Sequence, residues 1–314
     1  MSEPIPVIID CDPGQDDAVM LLMALACPEL DIQGITTVAG TVPLDLTQRN
    51  ARLMVDLTGR TDVPVFAGCD RPLNRPLKTA ENVHGSTGID GYPICPPRTP
   101  LQDDHAVDFM VQTLLSAAEA EVTLVPTGPL TNVASAIRRE PAILPNIRRI
   151  VLMGGALREG GNTTTSAEFN IFVDPEAAQT VLHCGRPITI APLDVSHRVL
   201  VTPIVLDRIR ALDSAAARAT VGMLEYFNRF DTHKYGTQGA PLHDPCTIAW
   251  LLQPELFQSR FCNVEVETGS ALTRGHTAVD FWRVSGREPN ADWLHSIDPN
   301  GFFDLLIEVL SRYE

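Results

Sequence analysis

Short runs of apolar and β-branched residues alternate along the chain with segments of helical periodicity. The apolar runs cover residues 6–10, 32–38, 63–68, 122–128, 148–155 and 187–194. Amphipathic segments such as "LTQRNARLMVDL" and "AVDFMVQTLLSAA" lie between them. Continuous Val, Ile and Leu are typical of strands that are buried on both faces. The pattern therefore predicts an α/β fold with a mostly parallel central sheet and helices on both of its faces.

Two segments interrupt this alternation. Residues 70–104 are rich in proline and polar residues, which predicts a long loop. Residues 199–240 are mainly helical and end in the loop "THKYGTQGAPLHDP". Long loops in compact α/β proteins often carry the functional site. Because neither a repeat nor a clear linker divides the sequence, we expect a single domain over residues 1–314.

Composition and charge narrow the classes of function. The chain has 314 residues, and 44% of them are apolar, which is enough to bury a sizeable core. Its net charge of −15 repels phosphate backbones and anionic lipids, so we expect neither nucleic acid nor membrane as a partner. The start of the sequence lacks the features of a secretory leader. With seven scattered cysteines and no C-x-x-C spacing, we expect reduced thiols and a cytoplasmic location.

A cluster of aspartates follows the first predicted strand. The stretch "DCDPGQDD" places four of them within eight residues, at Asp10, Asp12, Asp16 and Asp17. Burying like charges together is costly unless a cation joins them. Ligands that are all oxygen favour Ca²⁺ or Mg²⁺ over zinc. An EF-hand loop that starts at Asp10 is excluded, because its fifth and twelfth positions would be Gly14 and Leu21.

Other polar residues follow later strands, where the ligands of open α/β sheets usually bind. Thr41 and Thr127 come after the second and fourth predicted strands, and the segment after the fifth contains Asn162, Glu168 and Asn170. Amides combined with a carboxylate suit a ligand that has several hydroxyl groups. The ordinary alternative for this segment is loop capping.

Two histidines are candidates for the same site. His243 stands beside Asp244 in a short loop before a predicted helix, and His84 lies in the long loop between glycines and polar residues. Either histidine alone would more often be structural than functional. Asp10 and Asp12 also begin the D-x-D-x-[TV] signature of haloacid-dehalogenase-type phosphatases, but Gly14 stands where that signature has Thr or Val.

Six motifs occur in one order along the chain. They are "DCDPGQDDA" at 10–18, "ITTVAG" at 35–40, "NVHGSTG" at 82–88, "TGPLTNVA" at 127–134, "AEFNIFVDPEAA" at 167–178 and "HDPC" at 243–246. Together they resemble the inosine-uridine nucleoside hydrolase family over essentially the whole chain. The stretch "GAPLHDPCTIAWLLQPELF" is especially similar to the cytoplasmic pyrimidine-preferring members.

The resemblance implies a fold and a reaction. The fold is the nucleoside hydrolase fold with its Rossmann-like core, and the reaction converts a ribonucleoside and water to ribose and a free base. It also implies one bound Ca²⁺, a small ribonucleoside as substrate, and a homo-oligomer that is a tetramer or a dimer. Uridine and cytidine are the expected substrates, and inosine is a possible one.

The resemblance also implies roles for individual residues. The metal ligands would be the carboxylates of Asp12, Asp17 and Asp244 and the carbonyl of Thr127, with Asp10 as a supporting carboxylate. Inverting cleavage of a glycosidic bond needs a base for the attacking water and a stabilised leaving group. Asp12 is the expected base, and His243 is expected to polarise the departing nucleobase.

The remaining expected residues contact the substrate. Asp16 and Asn170 would hold the 2′- and 3′-hydroxyls of ribose, while Asn162 and Glu168 would hold the 5′-hydroxyl and the other edge of the sugar. His84 would line the base pocket, and Tyr235 in the loop "FDTHKYGTQG" is a further candidate for a base contact.

The sequence departs from the family pattern at one position. Thr41 follows "TTVAG", where family members usually carry Asn. Threonine has a shorter reach than asparagine and lacks its amide donors, so sugar recognition at this position would differ. Two other functions stay open at this stage, a nucleoside- or ribose-binding protein without catalysis and a metal-dependent phosphatase built on Asp10 and Asp12.

Overall fold

The computed structural model describes residues 3–236 and 238–313, and for residues 231–235 it describes the backbone alone. Within this part of the chain nine strands form one sheet: β1 (Ile5–Cys11), β2 (Leu30–Thr37), β3 (Val65–Ala67), β4 (Val122–Pro126), β5 (Ile147–Met153), β6 (Ile188–Ala191), β7 (Phe257–Val266), β8 (Thr277–Asp280) and β9 (Ala291–Ile297).

Twelve α-helices accompany the sheet in the described residues. They are α1 (Gln15–Leu25), α2 (Leu44–Thr58), α3 (Glu81–His84), α4 (Ala106–Ser116), α5 (Thr131–Arg139), α6 (Phe169–Val173), α7 (Pro175–Leu182), α8 (Leu193–Ser196), α9 (Pro203–Arg210), α10 (Ala215–Tyr235), α11 (Pro245–Leu252) and α12 (Pro299–Leu310). Short 3₁₀ turns cover Pro141–Asn146 and Pro254–Leu256.

The order of the strands creates a reversal in the middle of the sheet. The order is β3-β2-β1-β4-β5-β6-β9-β7-β8, and each neighbouring pair from β3 to β9 is parallel. From β1 the chain moves outward to β2 and β3, and it then returns to continue on the other side through β4, β5 and β6. The direction of winding therefore changes between β1 and β4. Such a switch point leaves a crevice at the carboxyl ends of the two strands.

Helices cover both faces of the sheet. Successive side chains of a strand point to opposite faces, so Val7 and Ile9 of β1 enter one apolar cluster and Ile8 enters the other. The first cluster contains side chains of α1, α2, α10, α11 and α12. The second contains side chains of α4, α5 and α7. The α/β fold class that the sequence predicts is confirmed.

Helix α1 runs through the interior, with all eleven of its residues buried. Its run "AVMLLMAL" is apolar on every side of the helix. Such a helix is stable only when other elements pack around it on every side. At its start, Gly14 has an extended backbone and donates its N–H to a carboxylate oxygen of Asp17 at 3.2 Å. The first turn of α1 therefore fixes Asp16 and Asp17 at the switch point.

The six predicted strands are present, but the C-terminal strands β7, β8 and β9 are not among the predictions. Strand β7 is antiparallel to both of its neighbours, and several of its side chains are exposed. It therefore lacks the continuous apolar run of a strand that is buried on both faces. The long loop at 70–104 contains helix α3, and α9 and α10 account for the helical prediction at 199–240. None of the helices in the described residues is long and apolar enough to cross a bilayer.

Candidate active site

A cavity of about 530 Å³ opens at the switch point. Its size is in the range usual for small-molecule sites. The turn after β1, the loops after β2, β4, β5 and β6, the segment around α3, helix α10 and the loop before α11 all contribute to its wall. Its polar lining includes Asp12, Asp16, Asp17, Thr127, Asn170 and Asp244.

Three carboxylates come together on one side of this cavity. Asp16, Asp17 and Asp244 each place one oxygen within 4.8 Å of the others, and all three are buried. Asp12 lines the same cavity, but it is not in this trio. One oxygen of Asp12 accepts the backbone N–H of Thr41 at 2.5 Å and the hydroxyl of Thr41 at 2.9 Å. The two halves of the acidic site thus meet although more than two hundred residues separate them in the sequence.

The electrostatics of this cluster favour a cation. Burial, together with the charge of Asp16, raises the pKa of Asp17 to about 8. Burial and neighbouring carboxylates likewise raise the pKa values of Asp12 and Asp244 well above their usual range. None of the ion pairs among the described residues includes these carboxylates. Oxygen ligands that repel one another and lack a positive partner fit a hard divalent cation.

Asp10 lies behind the cavity wall and does not line it. One of its oxygens accepts the hydroxyl of Thr36 at 2.7 Å and the amide of Asn132 at 2.8 Å, while its other oxygen is buried and has no hydrogen-bond partner among the described residues. Burial raises the pKa of Asp10 to about 7. Asn132 also donates to the carbonyl of Thr37 and therefore ties β1 and β2 to α5. Sequence reasoning overlooked Asn132, although the motif "TGPLTNVA" contains it.

Thr127 connects the acidic side of the site to Asn170. Its hydroxyl donates to Asp17 at 2.7 Å, and its carbonyl accepts the amide of Asn170 at 2.6 Å. The same amide lies 3.3 Å from the carbonyl oxygen of Met153. The end of β4 is therefore linked by side chains both to the first turn of α1 and to α6.

Glu168 and Asn162 both line the cavity and cap the backbone at α6. The carboxylate of Glu168 accepts N–H groups from Gly155, Asn170 and Ile171 at 2.8–3.1 Å. The side-chain oxygen of Asn162 accepts the backbone N–H of Phe169 at 2.9 Å. Burial raises the pKa of Glu168 to about 7. Glu168 and Asn162 therefore have both a capping role, which is the ordinary alternative for this segment, and a place in the wall of the cavity.

Two histidines also line the cavity. His84 stacks on Phe227 of α10, with ring centroids 5.2 Å apart, and its Nδ1 lies 2.7 Å from the side-chain oxygen of Gln15. The Nδ1 of His243 lies 2.7 Å from the hydroxyl oxygen of Ser196. Burial lowers the pKa of His84, and it lowers the pKa of His243 to about 4, so both rings are neutral near pH 7.

Several cavity residues were not among the predicted ones. His197 follows α8, and its ring centroid lies 5.7 Å from that of His243 while its Nδ1 lies 3.1 Å from a carboxylate oxygen of Glu159. Lys78 also lines the wall and places its ammonium 4.8 Å from the centroid of the Phe172 ring.

A signal for His197 was present, because it stands a few residues beyond the end of a predicted strand. No comparable signal marks Phe227, which looks like any apolar residue of an amphipathic helix. The side chain of Tyr235 lies outside the described residues.

Comparisons with known proteins identify a family and similar chains. The profile of the family described as inosine-uridine preferring nucleoside hydrolase matches residues 7–304. The pyrimidine-specific ribonucleoside hydrolase RihA of Photobacterium profundum is 47% identical over 309 residues, which cover 98% of this chain and 99% of the relative. The plant nucleoside hydrolase PpNRh1 superposes with a TM-score of 0.93 at 30% identity, over 98% of this chain and 99% of that one. The purine-preferring ribonucleoside hydrolase from Gardnerella vaginalis superposes with a TM-score of 0.90, also at 30% identity, over 98% of both chains.

Proposed function

The chain belongs to the inosine-uridine preferring nucleoside hydrolase family, and we propose that it prefers pyrimidine ribonucleosides and works with Ca²⁺ held by its aspartate cluster. The general activity follows from membership of the family: the protein hydrolyses the N-glycosidic bond of ribonucleosides. One observation above all supports the proposal. Buried carboxylates gather in a cavity at the switch point, and neutral imidazoles line the same cavity.

The acidic side has the donor set of a calcium site. Asp12, Asp17 and Asp244 would hold the ion through carboxylates, and Thr127 would hold it through its carbonyl. When bound, Ca²⁺ supplies a positive charge that acidifies water and orients hydroxyl groups. Asp16 belongs to the same trio of carboxylates and lines the cavity, so it can serve either the ion or the ribose hydroxyls. Asp10 supports the cluster from behind.

The chain's own residues carry out the proton transfer and the positioning. Asp12 takes the proton from the water that attacks C1′ of the ribose, and Thr41 holds the Asp12 carboxylate in place with two hydrogen bonds. Asn170 would contact the 2′- and 3′-hydroxyls of the ribose. Glu168 and Asn162 line the same cavity and would contact the 5′-hydroxyl and the other edge of the sugar.

The histidines that line the cavity would contact the nucleobase. As the C1′–N bond breaks, its electron pair moves into the base, and a hydrogen-bond donor of the protein that contacts the base stabilises that charge. His243 is the donor in this proposal. His84 and Phe227, which stack on each other, offer flat apolar surface to the nucleobase ring.

The preference for pyrimidines is supported by sequence identity. The chain is 47% identical to the pyrimidine-specific relative from Photobacterium profundum, and it is 30% identical to the purine-preferring hydrolase from Gardnerella vaginalis. Base preference depends on the few side chains that touch the base, and an assay with several nucleosides measures it directly.

The assay measures ribose released from uridine, cytidine, inosine and adenosine without added phosphate. We expect kcat/KM for uridine and cytidine to exceed that for inosine by about tenfold or more, which is the scale of one or two altered pocket contacts. A preference for inosine would contradict the pyrimidine assignment. Tight binding of ribonucleosides without turnover would instead indicate a binding protein, and release of orthophosphate from nucleotides would indicate a phosphatase. Asp10, the residue that a phosphatase of that type would phosphorylate, does not line the cavity.

We also propose a cytoplasmic homo-oligomer, a dimer or a tetramer, built from one domain per chain. The single nine-stranded sheet supports the domain assignment. Trp282 and Val284 are 72% and 86% exposed beside the edge strand β8, and large apolar side chains on a surface often mark a contact with another chain. Light scattering coupled to size-exclusion chromatography measures the oligomeric state directly.

A further inference from the structure

Ser196 lies at the last position of α8, directly after β6, and is fully buried. Its hydroxyl oxygen is 2.7 Å from Nδ1 of His243. The two residues are 47 positions apart in the sequence, Ser196 in α8 and His243 in the loop before α11.

Backbone pairing fixes the distance between Ser196 and His243. The segment after Ser196 runs beside the segment before His243, with hydrogen bonds from the N–H of Val201 to the carbonyl of Ala240 and from the N–H of Leu242 to the carbonyl of Val199. Asp194 anchors the turn from the other side, because its carboxylate accepts backbone N–H groups from residues 157 and 158 at 2.7 Å. The fold therefore keeps the backbone of Ser196 close to the ring of His243.

The direction of this hydrogen bond decides where His243 carries its proton. A serine hydroxyl has one hydrogen to donate, and a buried hydroxyl whose hydrogen has no acceptor loses free energy. Among the contacts of the described residues, Nδ1 of His243 is the partner of the Ser196 hydroxyl. A hydroxyl that donates to Nδ1 leaves a neutral imidazole with its single proton on Nε2.

We propose that Ser196 is a positioning residue that holds His243 as the Nε2–H tautomer, with that N–H directed at the departing nucleobase. The inference deepens the proposed function and rests on it for the role of His243 as the donor to the base. In the opposite tautomer Nε2 would present a lone pair to the negative charge that develops on the base, and the interaction would be repulsive. Ser196 thus selects the useful one of two nearly equivalent forms of the ring.

The kinetic test compares Ser196→Ala with the wild type on two substrates. Uridine has a poor leaving group that needs a donor, whereas 4-nitrophenyl riboside has an activated leaving group that does not. We expect Ser196→Ala to lower kcat for uridine about tenfold, as the loss of one orienting hydrogen bond predicts, with little change in KM. Activity on the nitrophenyl riboside should stay near that of the wild type, and Ser196→Thr, which keeps the hydroxyl, should recover most of the loss on uridine.

Two further variants separate positioning from a general effect on the fold. In a His243→Ala background, Ser196→Ala should have no additional effect on uridine turnover, because the ring that it orients is gone. Thr220→Val serves as the matched control, since Thr220 is also fully buried and its hydroxyl has no hydrogen-bond partner within the described part of the chain. This control should match the wild type on both substrates. Equal losses of Ser196→Ala on both substrates, or a further loss in the His243→Ala background, would overturn the proposal.

A spectroscopic measurement tests the tautomer without any substrate. Long-range ¹H–¹⁵N correlation spectra of protein labelled at histidine distinguish a protonated ring nitrogen from an unprotonated one, and the His243→Ala variant identifies the signals of His243. We expect the wild type to carry the proton on Nε2 and Ser196→Ala to shift toward a mixture of both tautomers. A wild-type ring protonated on Nδ1, or an unchanged ring in Ser196→Ala, rejects the inference. Because this readout needs no turnover, it gives its answer even if the wild type releases no ribose from any ribonucleoside, a result that would refute the proposed function alone.

Discussion

At the scale of single residues, the aspartates of the "DCDPGQDD" turn have different neighbours and therefore different tasks. Asp10 points away from the cavity to Thr36 and Asn132, whereas Asp16 faces Asp17 and Asp244. The sequence predicts the cluster, because four carboxylates after a buried strand stand out. It does not predict which oxygen meets which partner, since side-chain directions depend on the turn between β1 and α1.

The role of Asp12 as a base can be tested with Asp12→Asn, which keeps the shape and removes the charge. At saturating Ca²⁺ we expect kcat for uridine to fall by about 10³-fold, within the range usual for a general base. Without divalent ions the melting temperature should change little, because the amide oxygen can still accept from Thr41. Asp62→Asn is the control, since Asp62 is 65% exposed and pairs with Arg60 at the surface. Activity of Asp12→Asn close to that of the wild type would show that another group takes the proton.

Thr41 lines the cavity and also holds Asp12, to which both its N–H and its hydroxyl donate. The sequence predicts a sugar contact for Thr41, and that contact stays a prediction. Thr41→Val keeps the backbone bond and removes the hydroxyl bond, so we expect kcat for uridine to fall about tenfold or somewhat less. Thr41→Ser should retain most of the activity. If the main task of Thr41 is sugar binding, ribose will inhibit the Thr41→Val variant more weakly while kcat stays unchanged.

At the scale of secondary structure, α6 exists because a side chain caps it. A helix of five residues is not stable by itself, since so few hydrogen bonds do not offset the cost of starting it. Glu168 satisfies two N–H groups of the first turn, and a third N–H from Gly155 at the end of β5. The cap thereby places Asn170 on the cavity wall.

The raised pKa of Glu168 makes a prediction about stability and pH. Burial raises its pKa from the ordinary value of 4.5 to about 7 in the folded protein, so between these values the folded state binds more protons than the unfolded state. The stability that Glu168 contributes therefore falls as pH rises through this window, by about 3 kcal/mol in total. The Glu168→Gln variant lacks this titration. The difference in unfolding free energy between wild type and Glu168→Gln, measured by urea denaturation at several pH values, should decrease as pH rises, and a constant difference would contradict the assignment.

The sequence predicts the first six strands well because burial on both faces leaves an unbroken apolar run. The same reasoning passes over β7, whose exposed positions at the antiparallel side of the sheet interrupt the run. It also passes over Ser196, because nothing near it in the sequence indicates its partner. His243 approaches Ser196 only after the segments 199–201 and 240–242 have paired. Contacts of this kind depend on the tertiary fold and leave no local pattern.

At the scale of the whole molecule, the winding of the sheet brings together charges that are distant in sequence. Asp16 and Asp17 lie in the first turn of α1, directly after the first strand, and Asp244 lies in the loop before α11. Folding therefore concentrates negative charge at the centre of a chain whose net charge is already −15. Without a cation this concentration opposes folding, because like charges repel most strongly where water is excluded. A cation that binds the folded state alone must then stabilise it.

The last prediction follows from this coupling between the site and the fold. After removal of divalent ions with a chelator, added Ca²⁺ at about 100 times its dissociation constant should stabilise the protein by about 2.7 kcal/mol. For a domain of 314 residues, that corresponds to a rise in melting temperature of about 4 °C. Mg²⁺ should give a smaller shift, because it dehydrates reluctantly and demands a stricter geometry.

Asp244→Asn gives this experiment its sharpest control. The substitution removes one buried negative charge, so the ion-free variant should melt at the same temperature as the ion-free wild type or at a higher one. It should also lose most of the stabilisation by Ca²⁺, because a carboxylate ligand is gone. Asp62→Asn, at the exposed surface, should keep the full shift. A full shift in Asp244→Asn would place the ion elsewhere, and no shift in the wild type would mean that the aspartates are neutralised by protons and not by a metal.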